Sequence, residues 1–252
     1  MLERDVLEAR RPAPSDTAGD APLLALRGLE GWYGESHVLH GIDLDVRAGE
    51  VVTLLGRNGA GKTTTLRAII GLLGRRTGSI TYEGIETIRM PSRAIARLGI
   101  GYVPEERGIF ASLTVQENLM LPPRVKPGGL SVSEIQALFP NLRERAGSQG
   151  TKLSGGEQQM LAIGRILRTG ARLILLDEPT EGLAPVIIQQ IGRTIGALKA
   201  RGYTILLVEQ NFRFAQTVAD RHVVIEQGRV IDRIANADLG ANLDKLHAYL
   251  GV

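Results

Sequence analysis

The stretch Gly56-Arg57-Asn58-Gly59-Ala60-Gly61-Lys62-Thr63 fits the pattern G-x-x-x-x-G-K-[ST] without a mismatch. It stands between Glu50-Val51-Val52-Thr53-Leu54-Leu55, which reads as a buried strand, and Thr64-Thr65-Leu66-Arg67-Ala68-Ile69-Ile70, which reads as a helix. Strand, glycine loop and helix in that order are the setting in which such a loop cradles phosphate. Glycine at 56, 59 and 61 opens backbone angles closed to other residues, so the chain can wrap an anion with its N–H groups pointing inward. The helix N-terminus adds partial positive charge and Lys62 a full one. Thr63 offers a hydroxyl to Mg2+. Phosphate contacts are expected from Gly56 through Thr64. The rest of the chain must supply a carboxylate for the metal and a group that positions water.

Outward from the loop, the chain alternates strands and helices. On the N-terminal side, Leu23–Leu26 and Ile42–Val46 read as strands, the second alternating apolar and polar as in a half-buried antiparallel pair, with Trp32-Tyr33-Gly34 in a turn. On the C-terminal side come a strand at Ser79–Tyr82, a helix at Ser92–Leu98 and a buried strand at Ile100–Val103, ended by Pro104 and followed by Glu105. Thr114 with Glu117 and Ser131 with Glu134 are capping boxes for two further helices. These helices, over residues of about 111–168, interrupt the alternation and are expected to form a helical insertion. Leu173–Asp177 and Thr204–Val208 are continuous apolar strands, and Pro185–Arg201 and Asn211–Ala219 are helices. His222–Glu226 and Arg229–Asp232 form a hairpin through Gln227-Gly228, and Leu243–Leu250 closes the chain as a helix. Near-continuous apolar strands between helices indicate a mainly parallel α/β core covered on both faces, here with an antiparallel β part and a helical part. Ligands in such folds sit beyond the C-terminal strand ends, so the glycine loop, Glu105, Asp177-Glu178 and Glu209-Gln210 should converge on one edge.

Composition narrows the class. With 43% hydrophobic residues in 252, a sizeable core is within reach. The absence of cysteine excludes disulfides, thiolate chemistry and Cys-ligated zinc. Thirty basic residues stand against 27 acidic, without the basic stripe and interleaved aromatics of a nucleic-acid binder. No apolar run reaches the roughly 18 residues of a membrane span, and no export signal is expected. His37, His40, His222 and His247 lack metal-ligand spacing and read as structural. Residues 1–22, polar and broken by Pro12 and Pro14, are expected to be a disordered tail, with a short helix at Met1–Arg10 as the alternative, and residues 23–252 the folded domain.

Asp177-Glu178 supplies what the loop requires. An apolar strand ending in Asp is the usual second half of a P-loop ATPase site: Asp177 would hold Mg2+ opposite Thr63. Glu178 points elsewhere and can polarise a water for in-line attack on the γ-phosphate of ATP.

Leu153-Ser154-Gly155-Gly156-Glu157-Gln158-Gln159 resembles the signature motif of ATP-binding cassette (ABC) proteins. A Ser hydroxyl and Gly N–H groups at a helix start make a second anion site. The resemblance implies that Ser154, Gly155 and Gly156 grip the γ-phosphate held by another subunit, so that two cassettes sandwich two ATP molecules head to tail. It also implies that Tyr33 stacks on adenine. Two positions depart from the general ABC pattern: Glu105 stands where Gln begins the loop, and Gln210 where the switch residue is usually His. Gln210 can still bridge Glu178 and the γ-phosphate, but it cannot ionise, so a histidine-like pKa near about 6–7 is not expected in the activity. Together with Met160–Arg165, Gly182-Leu183-Ala184-Pro185 and Leu206–Asn211, these residues resemble the ATP-binding subunits of branched-chain amino acid importers, the LivF type; Thr180-Glu181-Gly182 also occurs in relatives serving urea or short-chain amides.

This likeness implies a peripheral ATPase at the cytoplasmic face of the inner membrane. It would be paired with a second ATP-binding subunit, a copy or a sister, and with two transmembrane permease subunits that receive solute from a binding protein. Glu178, Lys62, Gln210 and Glu105 would then carry hydrolysis, with Thr63, Asp177 and Glu105 at the metal. A soluble ABC protein acting on DNA or ribosomes would carry tandem cassettes or coiled-coil insertions. A P-loop kinase would lack the signature. No nucleic-acid partner is expected.

Overall fold

The computed structural model describes residues 21–251. Apart from Ala21 and Pro22, the tail expected over residues 1–22 lies outside them. The P-loop strand β3 (Val51–Leu55) sits in a six-stranded sheet with β6 (Ile100–Val103), β7 (Leu173–Asp177), β8 (Thr204–Val208), β9 (Arg221–Glu226) and β10 (Arg229–Ala235). Their spatial order is β10-β9-β3-β8-β7-β6, with every pair parallel except β9–β10. Each residue of β3, β7 and β8 is buried, which is why these segments read as unbroken apolar runs.

The two-residue period divides the core. Leu173, Leu175, Leu206 and Val208 face one apolar cluster, and Ile174, Leu176, Ile205 and Leu207 face the other. The first cluster is closed by α1 (Lys62–Ile69) through Leu66 and Ile69. It is closed too by a four-stranded antiparallel sheet of β1 (Leu24–Tyr33), β2 (Ser36–Val46), β4 (Arg75–Tyr82) and β5 (Ile85–Glu86), in the order β2-β1-β4-β5. A short helix α2 (Ser92–Arg97) leads from that sheet to β6 and buries Ile95.

The second cluster gathers α3 (Val115–Met120), α4 (Val132–Leu138), α5 (Pro140–Glu144), α6 (Gly155–Thr169) and α7 (Pro185–Ala200). Both anticipated capping boxes form, Thr114 with Glu117 and Ser131 with Glu134. The signature helix α6 has a third, between Ser154 and Glu157. Helix α6 is drawn close to its neighbours at Gly164, where a Cβ would stand 2.8 Å from Ile135 Cγ2. A smaller cluster joins β9, α8 (Phe212–Val218) and α9 (Leu239–Leu250) through Phe212, Val224 and Leu246.

Several elements run longer than the sequence pattern suggests. Strand β1 continues through Trp32 and Tyr33, with register shifts that absorb Arg27–Glu30 and Gly31, so the turn shrinks to Gly34-Glu35. Strand β10 continues to Ala235, which pairs with Arg221. The β9–β10 turn places Gln227 at φ 46° and Gly228 at φ 71°, the two positive angles of a tight hairpin turn.

Candidate functional site

Strands β3, β8, β7 and β6 are neighbours, and the residues that follow them meet at their C-terminal ends. The glycine loop is held from below. A Cβ at Gly56 would stand 2.1 Å from the Ile225 carbonyl oxygen, so only glycine fits. Gly228 donates its N–H to the Ala60 carbonyl at 2.8 Å and accepts from the His40 N–H at 2.9 Å, joining the β9–β10 turn to both the loop and β2. Gly61 caps α1 at φ 108°, which turns the first amides of that helix toward the loop's hollow.

Lys62 is buried and lies back over its own loop: Nζ donates to the Gly56 carbonyl at 2.8 Å and to the Arg57 carbonyl at 3.1 Å. Glu178 Oε1 is 3.8 Å away. Burial lowers the pKa of the ammonium, against the opposing pull of Glu178 and Asp177. Thr63 Oγ1 donates to Asp177 Oδ1 at 2.8 Å, and Tyr102 donates its hydroxyl to Asp177 Oδ2 at 2.9 Å. Asp177 is 1% exposed, and that burial raises its pKa although both hydrogen bonds oppose it. A hydroxyl and a carboxylate oxygen side by side are a hard-oxygen donor set. Magnesium, which takes one or two carboxylates and keeps its remaining positions for water and phosphate, suits such a pair. No cluster of three or more acidic, His or Cys side chains that could hold a metal stands among the described residues.

Glu178 adopts φ 44°, a left-handed angle uncommon for a residue with a Cβ. Its N–H donates to the Val208 carbonyl at 3.0 Å. This kink turns its carboxylate away from Asp177 and toward Gln210, whose Nε2 donates to Glu178 Oε2 at 2.5 Å. Burial raises the Glu178 pKa, opposed by the Gln210 hydrogen bond and the Lys62 charge. Lys62, Thr63, Asp177, Glu178 and Gln210 therefore form one connected group.

The other sequence-predicted side chains stand outside that group. Glu105 is exposed beyond β6; desolvation, then the charges of Glu181 and Glu178, raise its pKa. Tyr33 is 43% exposed, its hydroxyl 3.5 Å from an Arg67 guanidinium nitrogen. Ser154, Gly155 and Gly156 are apart from the P-loop group. The atoms nearest to Cβ positions built at Gly155 and Gly156 belong to Arg107 and Ile187, and Glu157 bonds back to the Ser154 N–H at 2.7 Å.

Residues 39–181 match the ABC transporter family. The chain belongs to the ABC transporter family. Over 238 residues this ABC ATPase is 43% identical to the high-affinity branched-chain amino acid transport ATP-binding protein BraG of Pseudomonas aeruginosa, covering 91% of this chain and 100% of that one. It is 34% identical to the lipopolysaccharide export system ATP-binding protein LptB of Escherichia coli K12, with 90% and 97% covered. Among solved structures, the ATP-binding subunit of an ABC transporter superposes with a TM-score of 0.77 at 31% identity, covering 91% of this chain and 100% of that one. A nucleotide-free cassette superposes with a TM-score of 0.79 at 23% identity, with 92% and 99% covered, a likeness of fold. The protein is an ATP-binding, ATP-hydrolysing subunit, and ABC cassettes work as dimers with transmembrane permeases. No helix among its described residues is long and apolar enough to cross a membrane.

Sequence reasoning does not single out two site neighbours of this ABC ATPase, Tyr102 and Arg107. Tyr102 reads only as part of a buried strand; its one signal is a polar-tipped aromatic two residues before Pro104. Arg107, at φ 66°, spans from the loop after β6 to the signature helix, donating to Gln158 Oε1 at 3.2 Å. Glu209, expected at this edge with Gln210 but without a role, is buried, accepts from Thr180 Oγ1 at 2.7 Å and has its pKa pushed up to about 7 by burial.

Glu209 makes stability depend on pH. Its folded-state pKa is raised above the ordinary 4.5, so the native state holds a proton that the unfolded state releases. The associated stability is complete below about pH 4.5 and is lost as pH rises through about 7, on the order of 3 kcal/mol in all. Urea unfolding at acid and neutral pH, as the difference between wild type and Glu209→Gln, should show that trend; a flat difference would remove it.

Proposed function

We propose that the chain is the ATPase subunit of an importer for branched-chain amino acids. The geometry that supports ATP hydrolysis best is the Glu178–Gln210 hydrogen bond set beside Lys62 and the Thr63–Asp177 pair. The solute class rests on 43% identity along the whole of BraG.

In this reading Gly56–Thr64 wraps the ATP phosphates and Lys62 leaves its loop carbonyls for the outer ones, while Tyr33 stacks on adenine. Thr63 and Asp177, with Glu105 nearby, would hold Mg2+, which when bound neutralises charge on the β- and γ-phosphates. Glu178 orients the attacking water and accepts its proton. Gln210, as donor and acceptor, bridges Glu178 and the γ-phosphate. Ser154, Gly155 and Gly156 serve the nucleotide of a second cassette, self or sister, in a head-to-tail dimer. That role accords with their distance from their own P-loop group, and with a neighbour at 25% identity solved as a dimer with ADP and Pi.

We assign the helical stretch of about 111–168, with Glu105 before it, as the face that meets the permease. Phe110, Met120 and Leu121 are all at least 45% exposed there. A groove of about 370 Å3 lined by Ile70, Arg93, Tyr102, Val125 and Ile166 opens beside the edge strand β6. Exposed apolar side chains of this size are the usual mark of a docking surface. The protein would then sit peripherally on the cytoplasmic face of the membrane, fed indirectly by a solute-binding protein.

Uptake of labelled leucine into cells lacking the gene tests this. The intact gene should restore uptake and Glu178→Gln should not. Unchanged leucine uptake with lost urea or short-chain amide uptake would replace the solute assignment, and co-purification with nucleic acid instead of membrane subunits would replace the transport role.

A further inference from the structure

Two loops flank Glu178: its own, after β7, and the loop after β8 that carries Gln210. Glu209 stands between them. It is 2% exposed, and no Lys, Arg or His lies within ion-pair distance among the described residues. Its Oε1 accepts from Thr180 Oγ1 at 2.7 Å, on the first loop, and its Oε2 accepts from the Asn211 N–H at 3.2 Å, on the second. Its own N–H donates to the Leu54 carbonyl of the P-loop strand at 3.3 Å. Asn211 in turn caps α8, its Oδ1 accepting from the Phe214 N–H at 3.1 Å. The side chain next in sequence is Gln210, bonded to Glu178. A carboxylate buried without a counter-ion is costly, and here it joins the P-loop strand to the two loops that carry Glu178 and Gln210.

We propose that Glu209 is a positioning residue for hydrolysis: by clamping Thr180 to Asn211, its carboxylate sets the geometry of the Glu178–Gln210 pair. The inference rests on the reading of Glu178 as the group that activates water. An ionised carboxyl offers two acceptor oxygens to the two donors. Once protonated, one oxygen becomes a donor: the Thr180 hydroxyl must reverse from donor to acceptor, and both hydrogen bonds lose their charged acceptor. Burial moves this change up to about pH 7, while the Thr180 and Asn211 hydrogen bonds pull it down. The charged groups that act on it are Glu178, which raises its pKa, and Lys62. The clamp is therefore complete above about pH 7 and loosened below it. Turnover should follow a carboxylate there, although Gln210 cannot ionise.

The test is kcat at saturating Mg-ATP across about pH 5.5–8.5 for wild type, Glu209→Gln, Thr180→Val and Glu178→Gln. Glutamine has the shape of the protonated acid. Glu209→Gln should lower kcat at pH 8 about tenfold, because the Thr180 hydroxyl must turn round and both hydrogen bonds lose their charged acceptor. Its KM should stay within about twofold, because nucleotide contacts are untouched. The wild-type inflection should vanish in this variant. It should also hold its position on warming in the wild type, as a carboxyl does and an imidazole does not. Thr180→Val should reproduce the loss of kcat, and carries the test if Glu209→Gln does not fold. Wild-type kcat in either variant, or an unchanged inflection in Glu209→Gln, overturns the proposal. Normal turnover by Glu178→Gln would instead overturn the reading beneath it.

Discussion

Glu178→Gln should bind ATP, close a dimer and hydrolyse roughly 10²–10⁴ times more slowly than wild type. The amide keeps the shape of the carboxylate and a carbonyl oxygen for the Gln210 N–H, so the loop held at φ 44° has no reason to move. What disappears is the base. Nucleotide affinity should not fall, because a negative charge 3.8 Å from Lys62 competes with the phosphates for that ammonium. The catalytic loss thus appears in kcat alone, and the undissociated complex accumulates. Single-turnover rates and light scattering with and without Mg-ATP read the two halves separately. A monomeric variant in Mg-ATP, beside a wild type that hydrolyses normally, would contradict the head-to-tail sandwich.

Local features were legible in the sequence because their physics is local. The glycine loop, the capping boxes at Thr114 and Ser131, and the Asp177-Glu178 strand end each declare themselves within eight residues. Apolar runs through β3, β7 and β8 gave away a sheet covered on both faces, and with it the shared C-terminal edge. Contacts between distant segments left no such trace. The Tyr102–Asp177 bond spans 75 positions and Thr180–Glu209 spans 29. Neither tyrosine in a strand nor glutamate before Gln210 differs from an ordinary occupant of its place until the strands are set side by side. Helix α9 begins at Leu239 rather than Leu243, because Gly240 and Ala241 contribute nothing to the apolar period. Pro140 similarly concealed α5, since proline looks like a stop when it stands at a first turn.

Lys62→Ala should weaken ATP binding by roughly 30- to 4000-fold, the effect of removing about 2–5 kcal/mol of buried, hydrogen-bonded charge. The fold should survive. Position 62 opens α1, where alanine is a good helix former. The two carbonyls that Lys62 caps, Gly56 and Arg57, belong to a loop whose shape is set by the Gly228 and Ile225 contacts beneath it. Deleting the ammonium also reverses the local field. Asp177 and Glu178, both of which act on Lys62, would then face incoming phosphates without it, and repulsion adds to the lost attraction. The loss should therefore exceed that of any uncharged loop contact. It should shrink when salt is raised, because the residual carboxylate repulsion is screened. Titration with a fluorescent ATP analogue at two ionic strengths, beside a thermal melt, checks both terms. Affinity within threefold of wild type would mean that the amides of Gly56–Thr64 alone hold the phosphates, and that Lys62 serves only to brace its loop.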